Sequence, residues 1–189
     1  MPSLKLLDVH TTIGRNLSCK GCNHFSNYFA PSSKLDTDAL LRDIEVILPR
    51  LNLGRVNVIG GEPLLNPRCE EIVNACISNT DSLVYLYTNG LLLHKNEDWI
   101  RKALENPRVF LRISIHLKEV EDIIKKFNHP KVLVTVHHTG QDRWFNSIKK
   151  RDNKVYPYNH NKITRSYNAC SCPCLLYTSD AADERSSVD

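Results

Sequence analysis

No apolar run in the chain approaches the length of a bilayer span, and Met1 to Lys5 opens directly into a strand-like pattern instead of the apolar centre of a signal peptide. Those two absences exclude a transmembrane helix and a secretion leader from the reading, so the expected compartment is the cytoplasm. No internal repeat is visible, which excludes a solenoid or propeller. Lysines and arginines are scattered, not gathered into a stripe. A formal net charge of +4 is therefore a mildly basic surface, and a nucleic-acid partner is not expected. The seven cysteines are odd in number and clustered at 19, 22, 69, 76, 170, 172 and 174. That excludes a regular disulfide framework and fits a reducing compartment with thiols used as ligands. The remaining composition, 41% hydrophobic and 24% charged over 189 residues, is that of a soluble globular domain with a real core.

What is present is a regular alternation. Leu4 to His10 is an apolar run of strand length, followed by a long loop that ends near Pro31, Ser32 and Ser33. Asp36 is a suitable N-cap for a helix from Thr37 to about Leu51, in which Leu40, Leu41, Ile44, Ile47, Leu48 and Leu51 recur at helical spacing, and Pro49 predicts a kink or an early end. Strands are expected at Arg55–Ile59, Leu83–Thr88, Val109–Leu117 and Val132–Val136. Helices are expected at Arg68–Ser78, from Asp98 through Leu104, and at Val120–Phe127. The fourth strand alternates strictly, with Leu111, Ile113 and Ile115 on one face and Arg112, Ser114 and His116 on the other. Strand and helix at this interval predict an α/β fold with parallel pairing. In such folds the working residues gather where the strands end.

The chemistry-bearing stretch is Gly14 to Asn23, with Cys19 and Cys22 three positions apart on the loop after the first strand. Such a pair can reach one soft metal or cluster, can form a redox couple, or can be two ordinary thiols. Gly60-Gly61-Glu62-Pro63 closes the second strand. Bare backbone there admits either a tight strand-to-helix turn or the close approach of a ligand, and Glu62 could offer a carboxylate to a cationic amine. Thr88, Asn89 and Gly90 read as turn formers, and His137 and His138 fall after the fifth strand. His24, Phe25 and Tyr28 could wall the thiol loop from water or merely pack it. Cys69 and Cys76 read as core thiols, since free cysteine behaves as a small buried hydrophobe.

Taken together, Asn16, Leu17, Cys19, Cys22 and Gly60 to Leu64 resemble the cluster loop and glycine-rich motif of the radical SAM superfamily. That loop spaces its cysteines CxxxCxxC, and Cys19 and Cys22 match the second and third positions. The first position is Arg15, a permanent cation that cannot ligate iron. The resemblance covers about Leu4 to His138. It implies a partial parallel (βα) barrel, truncated at the C-terminus, with a [4Fe-4S] cluster and S-adenosyl-L-methionine as cofactors. It places the cofactor's amino group at Gly60, Gly61, Glu62 and Pro63, and its ribose or carboxylate near Ser114 and His116, with Arg112 able to meet that carboxylate. It further implies an external electron donor, and reductive cleavage to a 5'-deoxyadenosyl radical that takes hydrogen from an unnamed substrate. With Arg15 at the first position, the expectation for this chain is a poorly held cluster and impaired activity. The competing readings are a zinc module, with Cys170 and Cys172 joining Cys19 and Cys22 in a tetrahedral site, and a non-catalytic protein that still binds S-adenosylmethionine.

The end of the sequence reads differently. Cys174 to Glu184 resembles the in-frame translation of a transposase-type sequencing adapter, so residues 174–189 are expected to be an artefact and are set aside from the fold. The organisation expected from these readings is a barrel core over residues 1–150 and a cysteine-containing extension over 151–173. By the same resemblance, that extension could begin a segment that holds a second cluster or helps bind substrate.

Overall fold

The computed structural model describes residues 1–17 and 35–136, together with the backbone of two short strands at 149–151 and 154–156. The cysteine pair at 19 and 22, the aromatic and histidine residues at 24–28, His137, His138 and the cysteines from 170 onward lie outside the described residues.

The first apolar run forms two strands, Ser3–Leu4 (β1) and Leu7–His10 (β2). The predicted single strand is interrupted, yet its register survives. Leu4 faces Leu53 in a short strand at Asn52–Leu53 (β3), and Leu7 faces Val56 in Arg55–Ile59 (β4), so the spacing is equal on both sides. The break coincides with Gly54, whose N–H donates to the Leu4 carbonyl at 3.0 Å where a Cβ would sit 2.7 Å from the Lys5 carbonyl oxygen.

Helix α1, Thr37–Ile47, starts where Asp36 Oδ1 accepts from the Asp38 and Ala39 N–H groups at 3.0 and 3.1 Å. It gives way to a 3-10 turn at Leu48–Arg50, because Pro49 cannot continue the hydrogen-bond ladder. The tighter turn carries Leu48 over the core and leaves Ile47 44% exposed, which corrects the expectation that Ile47 shares the buried face.

The remaining elements follow in order: α2 (Cys69–Asn79), β5 (Leu83–Thr88), α3 (Glu97–Glu105), β6 (Val109–Ile115), α4 (Val120–Phe127) and β7 (Val132–Val136). All pairings in the main sheet are parallel, in the order β2-β4-β5-β6-β7. Among the described residues no helix is long and apolar enough to cross a membrane.

One face of this sheet is covered by helices. Val56, Val58, Val84, Leu86, Leu111, Ile113 and Ile115 meet Ile72, Val73 and both α2 thiols, Ile100, Leu104, Val120 and Phe127 in a single buried cluster. Each fully buried aliphatic side chain contributes roughly 1.5–3 kcal/mol, so this layer carries most of the stability. The ends of α2 and α3 are closed by cations that sit just before β6 and β7, in each case one strand beyond the strand that the helix leads into. Arg108 donates to the Ile77 carbonyl at 3.1 Å and to the Thr80 carbonyl, and Lys131 Nζ donates to the Leu104 and Asn106 carbonyls at 2.6 and 2.8 Å.

In the second unit of the chain, which begins at Phe145, the described residues are β8 (Lys149–Arg151) and β9 (Lys154–Tyr156), which pair antiparallel.

Candidate functional site

The chain does not leave the sheet where β2 ends. The Thr11 N–H donates to the Ile59 carbonyl at 2.9 Å, the Gly61 N–H to the Thr12 carbonyl at 2.9 Å, and the Glu62 N–H to the Gly14 carbonyl at 3.0 Å. The segment that leads to the thiols is thereby zipped to the glycine corner by backbone alone. This contact is what the two glycines make possible. A Cβ on Gly60 would lie 2.6 Å from the Thr12 carbonyl oxygen, and one on Gly61 would overlap the Gly14 carbonyl oxygen. Of the two readings open for bare backbone at this corner, close approach therefore has a definite partner within the fold, the neighbouring loop.

A second anchor comes from β5. Asn89 Nδ2 donates to Asn16 Oδ1 at 2.7 Å, so the residues on both sides of Arg15 are fixed, Gly14 by β4 and Asn16 by the loop after β5. Held in that position, Arg15 donates from Nε to the Gly61 carbonyl at 3.2 Å. The residue at the first cluster position is thus turned onto the glycine corner.

Glu62 is 1% exposed. Its Oε1 accepts from the Thr88 hydroxyl at 2.7 Å and the Leu64 N–H at 3.2 Å, and its Oε2 accepts from the Asn89 N–H at 2.8 Å. Burial pushes its carboxyl above the usual carboxylate range. The three donors and the Arg15 cation pull it back. The expectation that Glu62 offers its charge to a cationic amine thus meets a carboxylate already engaged by three donors and bracing the loop after β5. Thr88, Asn89 and Gly90, read from sequence as turn formers, are that loop. Gly90 has φ +84°, and its N–H donates to Thr88 Oγ1 at 3.1 Å.

Asn66 is a residue that the sequence reading missed. It is 3% exposed, and its Nδ2 donates to the Thr11 carbonyl at 2.9 Å and to Thr37 Oγ1 at 3.1 Å, while its Oδ1 accepts from the Arg68 N–H at 2.9 Å. It ties the far side of the corner to the start of the thiol loop and to α1. The only sequence signal was an asparagine before Pro67, which reads as a turn.

Pro63 is buried at the start of a 3-10 turn that Glu62 caps. Ser114 sits on β6 opposite Thr135, half-buried, and His116 follows the end of the same strand, also half-buried. Arg112 lies two residues below Ser114, 5.6 Å from the Tyr87 ring centroid, with Nη1 at 3.5 Å from the Tyr87 hydroxyl. The corner, the loop after β5 and the end of β6 share the carboxyl edge of one parallel sheet. Buried Cys69 and Cys76 lie in α2 within the core. Burial raises both thiols, Cys76 to about 12, which keeps them protonated and inert. Among the described residues no group of three histidine, cysteine or carboxylate side chains could hold a metal ion.

No curated protein matches the chain. Among solved structures it is similar to the crystal structure of BtrN in complex with AdoMet and 2-DOIA, at 20% identity and a TM-score of 0.59, over 72% of this chain. The chain spans 58% of the length of that protein. The likeness supports the same α/β fold, with the described strands forming part of a barrel. The sequence also matches the radical SAM superfamily over residues 10–150, a stretch that takes in the thiol loop, the glycine corner and every strand of the main sheet from its upper end on β2. A match over well over half of the sequence, on a fold that joins those two motifs at one sheet edge, makes the chain a member of the radical SAM superfamily.

Proposed function

We propose that this chain is the cofactor-binding part of a radical SAM enzyme. Cys19 and Cys22 would ligate a [4Fe-4S] cluster, and the Gly60–Pro63 corner, with Ser114 and His116, would receive S-adenosylmethionine, the cofactors that superfamily membership implies. The observation that carries the reading is the backbone zip between Thr11–Gly14 and Ile59–Glu62. It brings the entry to the thiol loop against the glycine corner, as one small cofactor touching both would require.

When bound, such a cluster supplies the electron for reductive cleavage of S-adenosylmethionine, which an external donor must replenish. The chain's own residues contribute position and exclusion of water. Asn89 and Asn66 hold the start of the thiol loop at Asn16 and Thr11, and Glu62 braces the loop after β5. The substrate is not named by any of these residues.

The fit to the cofactors is uneven. At the glycine corner the Gly61 and Glu62 N–H groups and the Gly61 carbonyl are already engaged by Thr12, Gly14 and Arg15. Arg15 has no lone pair to give iron, and its Nε already donates to the Gly61 carbonyl. We infer that this chain holds its cluster weakly and has impaired activity, a reading that the position of Arg15 favours over an intact enzyme. Anaerobic reconstitution with iron and sulfide tests both parts. The expected outcome is substoichiometric, labile iron in the chain as it stands and a marked gain in bound iron and brown colour in Arg15→Cys. Equal iron loading in the two would overturn the assignment of weakness to Arg15. Stoichiometric zinc in a colourless protein would overturn the cluster altogether.

The organisation proposed for the rest of the sequence keeps residues 1–150 as the barrel part, 151–173 as the start of an extension and 174–189 as adapter-derived. Mass analysis of the naturally expressed protein would show a different sequence after residue 173.

A further inference from the structure

From Gly61 to Pro63 the glycine corner keeps its hydrogen-bond acceptors occupied from within the chain. The Glu62 carbonyl accepts from the Leu65 N–H at 3.1 Å and the Pro63 carbonyl from the Asn66 N–H at 2.9 Å. The Glu62 carboxylate accepts from Thr88, Leu64 and Asn89, and the Gly61 carbonyl accepts from Arg15 Nε. All of these donors but one belong to the turn itself or to the loop after β5, so removing them would unwind the fold around the corner. Arg15 is the exception. Its donor sits on a long, half-buried side chain, and its backbone is held on both sides without that donor, through the Gly14 carbonyl and the Asn16 side chain. The loop is therefore placed by its neighbours, and the guanidinium contact is not needed to place it.

A bound ammonium group would make the same kind of contact. A cationic amine needs an acceptor within hydrogen-bond reach and a negative charge nearby. Here the acceptor held by a side chain is the Gly61 carbonyl, and the nearby charge is Glu62. Arg15 takes both, since its cation also lies close enough to Glu62 to favour the carboxylate. A carbonyl oxygen has a second lone pair, so the hydrogen bond alone would not exclude another donor. Charge does. A second unit charge about 4 Å from the guanidinium, at the permittivity of a partly buried site, is repelled by enough to lower affinity more than about tenfold, and a single carboxylate cannot balance two cations.

We propose that Arg15 is an internal substitute for the cofactor's ammonium group: it holds the Gly61 carbonyl and the charge of Glu62, and so excludes a cationic amine from the glycine corner independently of iron. This rests on the radical SAM reading only for the corner's identity as the site of the amine. The effect is separate from the loss of an iron ligand, because any neutral residue at position 15 should relieve it.

The test is isothermal titration calorimetry on the metal-free chain with two probes that share a nucleoside and a thioether. S-adenosylhomocysteine carries the amino-acid end, and 5'-methylthioadenosine lacks it. The unaltered chain is expected to bind S-adenosylhomocysteine no more tightly than methylthioadenosine. Arg15→Met is expected to bind S-adenosylhomocysteine at least about tenfold more tightly than the unaltered chain does, with methylthioadenosine unchanged. Arg15→Lys keeps the charge and is expected to stay as weak as the unaltered chain. The three proteins should melt within a few degrees of one another, because Glu62 and Asn89 still hold the loop. An S-adenosylhomocysteine affinity that is unchanged or lower in Arg15→Met would overturn the proposal, and a melting temperature that falls with it would make Arg15 a structural residue instead. Equal gains for both probes, or recovery in Arg15→Lys equal to that in Arg15→Met, would overturn it as well. Should Arg15→Met fail to fold, Arg15→Ala is read in the same way. Iron loading by Arg15→Cys with no gain of S-adenosylhomocysteine binding in Arg15→Met would remove this inference alone. The gain in Arg15→Met with no iron in Arg15→Cys would leave the exclusion in place and remove the cluster.

Discussion

The two faces of the five-stranded sheet are built on opposite terms. Toward the helices, every second residue of β4, β5 and β6 is an aliphatic or Thr88, all closed over by α2, α3 and α4. Away from them the same strands present Asn57, Tyr85, Tyr87, Arg112 and Ser114, with Asp8 on β2 at the edge. A two-residue period makes this separation possible, because neighbouring side chains on a strand point to opposite sides. The lesson is a division of labour. Stability is concentrated on one side, which leaves the other free to carry polar groups that a core would reject.

Breaking the covered face should have the largest effect. Ile113 is fully buried, and Ile113→Ala is expected to destabilise by about 3–4 kcal/mol, read as a shift of the urea midpoint without a change in slope. Tyr87→Phe, on the half-buried opposite face, should shift the same midpoint by no more than about 0.5 kcal/mol. Similar losses in the two variants would erase the contrast.

The rim where the faces meet comes next. Gly61→Ala must push a methyl group into the Gly14 carbonyl, and overpacking of this kind costs about 1–3 kcal/mol. Hydrogen exchange should show the loss localised to the Thr11–Gly14 and Gly61–Glu62 amides. Protection unchanged at those amides would contradict the zip.

Glu62→Gln sharpens the comparison chemically. The carboxylate faces three donors, so an amide NH2 in place of one oxygen meets a donor, at a cost of about 1–3 kcal/mol. The pH dependence has a definite sign. Because burial raises the folded-state pKa, the folded chain binds more protons than the unfolded one between the ordinary carboxylate value and the raised one. Stability should therefore fall as pH rises across that window. The pH dependence of Glu62→Gln should lack this component. Identical profiles for the two proteins would refute it.

The smallest effect belongs to the outer surface. Arg68 donates to Asp38 and Glu71, and these hydrogen bonds hold both carboxyls below their usual range. What they contribute is present at neutral pH and lost as pH falls through the lowered values. All three groups are solvated, so Glu71→Gln should change the midpoint barely measurably, and less in high salt.

Much of this architecture could be read from residue order. The alternation of Val109 to Ile115, the cap at Asp36 and the stop at Pro49 are local, and local rules were enough to place them. The break at Lys5 and Leu6 was not legible, because it depends on Gly54 approaching from a strand about fifty residues away. The glycine corner was found, but its partner was not. The contact between Gly61 and Gly14 is made by backbone atoms, which every residue has and no sequence pattern marks. Asn57 left a trace in retrospect, a lone amide among valines, although only the cross-strand register puts Asp8 beside it.

Sequence alone determined the order and type of the main-sheet strands and their helices and pointed to the superfamily, since periodicity, capping residues and two short motifs are properties of neighbouring positions. Tertiary structure decided which groups those motifs meet. Glu62 turns inward because Thr88 and Asn89 arrive from β5, and Arg15 reaches the Gly61 carbonyl because Gly14 and Asn16 are pinned on either side of it. Contacts between residues far apart in the chain follow from strand order and register, which no local rule encodes.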